Sequence, residues 1–572
     1  MKENHKIKII RYGIITLLVF LSIAWTAFGC SFSEGKQSDD SGNKTDTTST
    51  SPVIPDKSGM TIKGKISCEG IGIKGIEVSD GIEVAQTDAN GIYYLKSKKK
   101  YGYVFISIPS GYEVPLSNQN TPLFFKHLTS NSSTSEEKDF TLNKVDNSKH
   151  AIIAMADFHL CNRSKPNDQE QFDKIAADIN STIVSLQDQG YKVYGISMGD
   201  ESWDLYWYSN NFYITAAMNK MQEINCPLFH CLGNHDNDPY YADDWMAEQT
   251  FIKNFPAYYS FNIGNNHYIV LDDVKYINNG ASIGTIGDRS FDATIIDEEM
   301  SWLKKDLSLI TNKNQRIIVA MHVPLYDQPD VSEGQQANGY RLDDYSDFIR
   351  TFNGFTNVHL LTGHTHDNYN VDDLNNIQEH NTAGICATWW WTNVLTNNKQ
   401  HICRDGSPGG YGVYLNDGPG MTWYYKGFNS DKSYQFRTYD LNQVYIEDMG
   451  NSPSVYNKYI HGYGIKRTDN KILINVWNYD KNWKIEAIEN GQPLLVTHIA
   501  TYDPLHILCY DMQRYYQGNT PTSAFVTIKT DHMFECTASK ATSKVTIKVT
   551  DRFGNVYTED MSRPKAFSMS MK

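Results

Sequence analysis

The sequence predicts an α/β core flanked by two small all-β sandwich domains. In residues 147–417, short continuous apolar runs alternate with segments of helical periodicity, as expected for strands that are buried on both faces and covered by helices. In residues 59–146 and 418–572, strand-sized pieces are instead separated by glycine and asparagine turns. A chain of 572 residues is also too long for one ordinary core, which favours three or more domains.

The N-terminus resembles a bacterial lipoprotein signal peptide. Basic residues precede the apolar run 12–28, and Gly29 and Cys30 follow it. The resemblance implies that residues 1–30 are the signal segment and that the Cys30 thiol is lipidated. A plain transmembrane anchor is the alternative, because the run is close to the roughly 20 apolar residues that span a bilayer.

Residues 31–58 are predicted to be a disordered tether. They are rich in Ser, Thr, Asp, Lys and Gly, and they have almost no large apolar residues that would offset the entropy of ordering. We therefore expect an exported lipoprotein that is anchored to a membrane of the bacterial cell envelope through Cys30. It would face the periplasm or lie at the cell surface.

The region before the core, residues 59–146, has the pattern of a β-sandwich. Apolar and polar residues mostly alternate in residues 60–68, and residues 76–78 and 103–108 supply further strands. Residues 75–93 resemble the transthyretin-like and carboxypeptidase-regulatory-like sandwiches. That resemblance implies a spacer module, and carbohydrate binding is the alternative.

Six apolar runs in the core are predicted strands: 151–156, 193–198, 227–232, 267–271, 316–321 and 358–361. Helical spacing predicts one helix that includes residues 172–186 and a second around Leu303. Five residues stand within three residues of the carboxyl end of a run: Asp157, Asp200, Asn234, His322 and His364. Because ligands of α/β sheets bind beyond the carboxyl ends of the strands, the sequence predicts one common site there.

The residue types at these positions suit metal ions. Together with His159 and His366, the five residues provide seven oxygen or nitrogen ligands, which is enough for two ions. In Asp157-x-His159 and His364-x-His366 the ligands are two residues apart, so an extended backbone would turn both side chains to one face. Each pair is therefore predicted to hold one ion.

The order of these motifs resembles the calcineurin-like metallophosphoesterases, whose core has two β-sheets sandwiched by helices. The resemblance implies one ion on Asp157, His159 and His366, a second ion on Asn234, His322 and His364, and Asp200 as a bridge between them. It implies a dinuclear phosphoesterase that hydrolyses phosphodiesters or phosphomonoesters with a metal-bridging hydroxide. Mn, Fe and Zn all suit His, Asp and Asn ligands, so the metal stays open.

The resemblance also implies a general acid, His235, which adjoins Asn234 without being needed as a ligand. Related phosphatases orient this histidine with a carboxylate three residues after the bridging Asp. Here Asp204 lies four residues after Asp200, and both Asp204 and Asp236 are open as the orienting residue. The Arg that protein Ser/Thr phosphatases place in this stretch is absent, which disfavours a protein phosphatase.

Charge excludes some partners and favours others. The chain has 52 Lys and Arg against 66 Asp and Glu without a basic block, so no nucleic-acid-binding surface is expected. Two divalent ions, two carboxylates and one hydroxide would leave the site net positive, as a phosphate-ester substrate requires.

The alternative to a phosphoesterase is a cell-surface protein that binds glycans or envelope components through its sandwiches, with a secondary metal site. The oligomeric state stays open.

The region after the core, residues 418–572, is predicted to be a second β-sandwich. Its strand candidates are 421–425, 472–477, 483–488, 525–528 and 545–549. Shortly before it, residues 389–391 are three consecutive tryptophans. They either form a wall on which a substrate stacks or divide between core and surface.

Overall fold

The computed structural model describes residues 53–117, 120–331, 339–372, 376–396 and 400–571. The predicted signal peptide, Cys30 and most of the tether lie outside the described residues. Within the described part of the chain, no helix is both long and apolar enough to cross a membrane.

The N-terminal region consists of short strands in two sheets. The strands are β1 (Ile62–Cys68), β2 (Ile71–Gly72), β3 (Glu77–Ser79), β4 (Val84–Gln86), β5 (Ile92–Leu95), β6 (Tyr103–Ile106), β7 (Tyr112–Glu113), β8 (Phe125–His127), β9 (Glu136–Glu137) and β10 (Phe140–Lys144). One sheet has the order β2-β1-β10-β7, with β5 and β9 also paired to β1, and the other has the order β4-β3-β6-β8. In β1, Ile62 and Ile66 are buried and the lysines between them are not, as the alternation predicts.

The core begins with a strand and a long helix, as predicted. Its elements are β11 (Lys149–Met155), α1 (Asp168–Asp188), β12 (Lys192–Ser197), α2 (Ile214–Met221), β13 (Leu228–Phe229), α3 (Asp244–Ala247), α4 (Gln249–Ile252), β14 (Tyr259–Ile263), β15 (Asn266–Val270), β16 (Val274–Ile277), β17 (Ser290–Ala293), α5 (Asp297–Ser308), β18 (Arg316–Ala320), α6 (Tyr345–Thr351), β19 (Val358–Thr362), β20 (Tyr369–Asp372), β21 (Ile377–Asn381), α7 (Thr392–Thr396), β22 (Gly410–Asp417) and β23 (Gly420–Gly427).

Two mixed sheets form the centre of the core. The first has the order β13-β12-β11-β22-β23, and the second has the order β14-β15-β18-β19-β21-β20. The neighbours β11, β12 and β13 are parallel, and so are β15, β18, β19 and β21. Parallel neighbours present their carboxyl ends at one edge, which is where the predicted metal ligands follow each strand.

The hairpin β22–β23 completes the first sheet. Its strand β22 pairs with β11, and β23 pairs with β22 over its whole length. Residues 421–425 therefore belong to the core sheet, although the sequence pattern assigned them to the second sandwich. The predicted domain boundary after residue 417 falls in the turn of this hairpin.

The C-terminal region carries two four-stranded sheets and several short helices. Its elements are β24 (Arg437–Asp440), α8 (Pro453–Tyr459), β25 (Lys471–Asn475), β26 (Lys484–Glu489), β27 (Gln492–Leu494), β28 (Val496–Tyr502), α9 (Pro504–His506), a π-helical turn (Ile507–Asp511), α10 (Met512–Tyr516), β29 (Lys529–Thr537), β30 (Val545–Thr550) and β31 (Val556–Met561). The sheets have the orders β24-β25-β29-β28 and β27-β26-β30-β31. Buried residues of both sheets share one apolar cluster, including Ile474 of β25 and Ile547 of β30.

One predicted strand of this region is wrong. Residues 525–528 form a turn and an irregular segment that precede β29. The Phe525 ring lies in a cluster of aromatic side chains with Trp203 and Tyr510 rather than on the face of a sheet. Contacts with distant residues therefore decided this conformation over local β-propensity.

Candidate metal centre

The backbone of the predicted ligands is strained. Five of the seven have a left-handed backbone: Asp157 (φ 56°), His159 (φ 44°), Asp200 (φ 53°), His364 (φ 67°) and His366 (φ 60°). This region is unfavourable for residues other than glycine, and such residues cluster at functional sites. The extended backbone predicted for the two ligand pairs is wrong, because both pairs lie in turns after their strands, and these turns bring the side chains together.

Two glycines let the strand-end turns approach each other closely. A Cβ atom on Gly233 would lie 2.2 Å from the Asp200 backbone nitrogen, and one on Gly199 would lie 2.8 Å from Nδ1 of His322. Gly199 also has a φ of 86°, which favours glycine. The turns after β12 and β13 therefore bring Asp200 and Asn234 to the same place.

The first group of ligand-capable atoms comes from the turns after β11 and β19. Nε2 of His159 lies 2.9 Å from Nε2 of His366, and the latter lies 3.4 Å from Oδ1 of Asp157. All three side chains are almost completely buried. The three predicted ligands of one ion thus converge.

The second group comes from the turns after β13, β18 and β19. Nε2 of His322 lies 3.0 Å from Oδ1 of Asn234 and 3.1 Å from Nδ1 of His364. Asp200 lies between the two groups, because its Oδ2 is 3.3 Å from Nε2 of His322 and 3.7 Å from Nε2 of His159. The structure therefore brings all seven predicted residues into one pocket, which both core sheets supply.

Burial and charge set the protonation of this pocket. Burial lowers the pKa of His364 to about 3 and takes the pKa values of His159 and His366 well below the usual range, so these imidazoles are neutral. Burial also acts to lower the pKa of His322, but the charges of Asp200 and Asp157 outweigh it and raise that pKa to about 10. Three of the four histidines in the predicted ligand set are therefore neutral, whereas His322 carries a positive charge beside Asp200.

The two carboxylates differ in their environment. Burial raises the pKa of Asp157 well above its usual value. For Asp200, burial acts in the same direction, but the positive charges of His322 and His235 outweigh it and hold the pKa well below the usual range. Asp200 is therefore the more firmly ionised of the two, as suits a residue that lies between the two groups of predicted ligands.

The donor set fits metal ions. Nε2 of His159 and Nε2 of His366 face each other at 2.9 Å, and two neutral rings in this arrangement direct at least one lone pair at the same space. Ligand-capable atoms of Asp200, His322 and His364 all lie within 4.8 Å of one another, and the same holds for Asp200, His159 and His235. Nitrogen and oxygen donors at this spacing suit transition metals.

His235 lies at the edge of the pocket with a carboxylate behind it. Its backbone N–H donates to Oδ1 of Asp200 at 2.7 Å, and its Nδ1 lies 2.8 Å from Oδ1 of Asp204. Arg289 also contacts that oxygen of Asp204 at 2.8 Å. Burial acts to lower the pKa of His235, but the charges of Asp200 and Asp204 outweigh it and raise the pKa.

Asp236, the other residue open as the partner of His235, has a different role. Its carboxylate accepts from the backbone N–H groups of Gly233, Glu201 and Ser202 at 3.0, 3.2 and 2.8 Å. It therefore fixes the two turns that carry Asp200 and Asn234. Asp204 is the carboxylate that contacts the His235 ring.

Three family models match almost the whole described chain beyond residue 59. They are the N terminal of calcineurin-like phosphoesterase over residues 60–145, calcineurin-like phosphoesterase over residues 150–368, and the C terminal of calcineurin-like phosphoesterase over residues 379–557. The chain belongs to the calcineurin-like phosphoesterases. The predicted family and the predicted core fold are thereby confirmed, and the protein is a metal-dependent phosphoric ester hydrolase.

Several solved structures are similar to this chain at low sequence identity. A dimetal phosphatase from Danio rerio is 11% identical with a TM-score of 0.34, and the likeness covers 49% of this chain and 97% of that one. Purple acid phosphatase PPD1 of yellow lupin is 12% identical with a TM-score of 0.31, and the likeness covers 62% of this chain and 67% of that one. A 5'-nucleotidase from Candida albicans is 11% identical with a TM-score of 0.30, and the likeness covers 62% of this chain and 74% of that one. A search of the curated proteins finds no match.

Two residues near the candidate metal centre were not predicted from the sequence. Cys386 is buried and has its sulfur within 4.8 Å of ring nitrogens of His159 and His366. Arg289, which directly precedes β17, reaches Asp204. Neither follows a motif, because both reach the pocket through contacts between residues far apart in the sequence.

The three consecutive tryptophans take three different environments. The Trp389 ring stacks on His159 and His366. Trp390 is fully buried and donates its indole N–H to the Phe158 carbonyl at 3.2 Å, and Trp391 is half-buried beside Arg514. They divide among three places and do not form one wall.

Proposed function

We propose that the protein hydrolyses phosphate esters with a hydroxide that bridges two metal ions in this pocket. The supporting observation is the convergence of seven buried ligand-capable side chains from both core sheets, with His235 at their edge. Asp157, His159 and His366 would hold one ion, Asn234, His322 and His364 would hold the other, and Asp200 would contact both. When bound, the ions supply positive charge toward the phosphate and lower the pKa of water.

His235 is the proposed general acid. Asp204 contacts its Nδ1, so Nε2 is the nitrogen that can give a proton to the leaving oxygen. The His235 side chain is 16% exposed, whereas the histidines of the ligand set that pair with carboxylates are at most 3% exposed. Its raised pKa keeps it protonated to higher pH than an ordinary histidine.

The substrate is a phosphomonoester or a phosphodiester, and Mn, Fe or Zn would serve as the metal. The stretch that follows Asp200 contains no Arg that would hold a phosphate dianion in the manner of protein Ser/Thr phosphatases. The proposal also places the enzyme in the bacterial cell envelope, attached through lipidated Cys30. The apolar run 12–28 and the polar segment that follows it support this location.

Two variants test the roles of the residues separately. Asp200→Asn should abolish turnover and lower the metal content, because it removes the charge that lies between both groups of ligands. His235→Ala should keep both metal ions and lose about 10²- to 10⁴-fold in kcat, as expected for a general acid. Asp188→Asn, at the exposed end of α1, is the matched control and should behave as wild type.

Metal content by mass spectrometry and turnover of an aryl phosphate ester are the measurements. Full activity of Asp200→Asn would contradict the central position of Asp200. Loss of metal from His235→Ala would show that His235 is a ligand rather than an acid. If the wild type shows no turnover, and Asp200→Asn leaves the binding of glycans or envelope components unaffected, the cell-surface binding protein is favoured.

A further inference from the structure

The tryptophan turn (residues 387–391) has an unusually strained backbone. Thr388, Trp389 and Trp390 have φ values of 35°, 53° and 72°, so three successive residues with side chains are left-handed. This conformation brings Cβ close to the following carbonyl, and single residues rather than runs usually adopt it. Such a turn persists only where the surrounding structure holds it.

The strained turn places one indole ring directly on two predicted metal ligands. The Trp389 ring lies 4.8 Å from the His159 ring at an interplanar angle of 12°, and 4.8 Å from the His366 ring at 24°. Trp203 packs edge-on against the same indole at 4.9 Å. Both imidazoles are thus held between their own strand-end turns and Trp389.

The imidazoles need this support because their second nitrogens make no hydrogen bond. A histidine ligand is usually oriented by a hydrogen bond from its other ring nitrogen. Among the described residues, Nδ1 of His159 and Nδ1 of His366 are buried and have no partner. His322, by contrast, has its Nδ1 2.8 Å from the carbonyl of Met198. Stacking is the contact that remains to fix the planes of the first two rings.

The C-terminal region (residues 428–571) holds the tryptophan turn in place. The Phe525 ring lies 4.2 Å from the Trp389 ring. The Thr388 hydroxyl is hydrogen-bonded to His506 of this region and, at 2.8 Å, to the carbonyl of Ile402 in the core. Nδ1 of His506 in turn lies 2.7 Å from Oγ1 of Thr527. All these polar groups belong to buried residues, so the anchorage is protected from water.

We propose that Trp389 is a positioning residue of the metal centre and that the C-terminal region holds the Trp389 ring against His159 and His366. This inference rests on the proposed function, because it needs the ion assigned to Asp157, His159 and His366. Trp389 would fix the planes of two ligand rings that lack the usual hydrogen bond. The C-terminal region would therefore be required for correct metal binding although it supplies no ligand.

The test measures binding of each metal ion in the full-length chain, purified in detergent and stripped of metal. Co²⁺ is added back, and its affinity, stoichiometry and visible spectrum are recorded, as is its rate of transfer to a chelator. Trp389→Leu should lose one of its two ions to the chelator about tenfold faster or more, since partners of metal-ligating histidines affect affinity by this amount. The other ion should leave at the wild-type rate.

Three further variants separate positioning from general destabilisation. Trp389→Phe keeps a ring on the imidazoles and should recover most of the wild-type affinity. Trp391→Leu changes the neighbouring indole, which lies beside Arg514, and should leave both ions unaffected. Thr388→Val keeps the size of the side chain but removes the anchor to His506, and it should speed the loss of the same ion to a smaller extent.

His366→Ala shows whether the centre itself is assigned correctly. It should lose the ion that Trp389→Leu weakens. If His366→Ala loses that ion while Trp389→Leu and Thr388→Val bind both ions as wild type, Trp389 has no positioning role and the inference is overturned. If His366→Ala retains both ions, the proposed metal centre is wrong, and the role of Trp389 is rejected with it.

Discussion

Asp204 and Arg289 together set the state of His235. One oxygen of Asp204 contacts Nδ1 of His235 and a guanidinium nitrogen of Arg289, both at 2.8 Å. The carboxylate therefore orients the ring and stabilises its protonated form, whereas the arginine moderates the negative charge. Asp204 is also the first residue of a short 3₁₀ turn, Asp204–Tyr206.

Asp204→Ala should lower kcat about tenfold or more while the metal content stays at two ions, since the general acid loses its orientation. Because the charge of Asp204 helps to raise the pKa of His235, its removal lowers that pKa. The rate falls as pH rises through the pKa of the acid, so the alkaline limb should move to lower pH. A pH–rate profile checks this, with the exposed Asp188→Asn as control, and an unmoved limb in Asp204→Ala would contradict the pairing.

The sequence predicted the residues of the candidate ligand set but not the contacts that surround them. Residues such as Asn234 and His364 stand in short motifs next to apolar runs, and this is visible without a structure. Trp389 reaches His159 across 230 positions of sequence, and Arg289 reaches Asp204 across 85. Contacts of this kind depend on the packing of whole elements, which no local pattern encodes.

Among the structural elements, the turns after β12 and β13 form the base of the candidate metal centre. They approach so closely that Gly233 contacts Asp200 directly, and the Asp236 carboxylate ties the two turns through three backbone N–H groups. Predicted strand ends located these turns to within a few residues. The left-handed backbone was not predicted, because it follows from ligand convergence rather than from local propensity.

Gly233→Ala should destabilise the fold by about 1–3 kcal/mol, because its Cβ would stand 2.2 Å from a backbone nitrogen and force the turns apart. It should also bind fewer than two metal ions. Gly420→Ala, whose Cβ would meet its nearest neighbour at an ordinary 3.5 Å, is the matched control and should keep stability and metal content. Thermal unfolding and metal analysis measure both effects, and two tightly bound ions in Gly233→Ala would contradict the described geometry.

At the scale of the whole molecule, the flanking β regions pack onto the core through buried contacts. Tyr258 of the core donates to the carbonyl of Gly81 at 2.7 Å. Asn475 of the C-terminal region donates to the carbonyl of Asp405 at 3.0 Å, and Phe553 packs edge-on against Trp423 of β23 at 4.7 Å. The sequence predicted three separate regions, but no local pattern in it predicted how these regions pack together.

We therefore expect residues 54–571 to unfold in one cooperative transition. Phe553→Ala removes one aromatic pair. It should lower the midpoint temperature of this single transition by about 1–3 °C without splitting the transition into two. Lys98→Ala, on the exposed surface of the N-terminal region, serves as control. Calorimetry is the measurement, and separate transitions for the core and the C-terminal region would show that the contacts do not couple them.

Hydrolysis of an aryl phosphomonoester and an aryl phosphodiester by the full-length chain tests directly whether a dinuclear metal centre performs the reaction. Each assay is run with manganese, with chelator, and with the Asp200→Asn variant. We expect turnover of at least one ester that requires metal and is lost in the variant, and the preferred ester identifies the substrate class. Turnover that survives both the chelator and the loss of the Asp200 carboxylate would contradict a dinuclear metal mechanism.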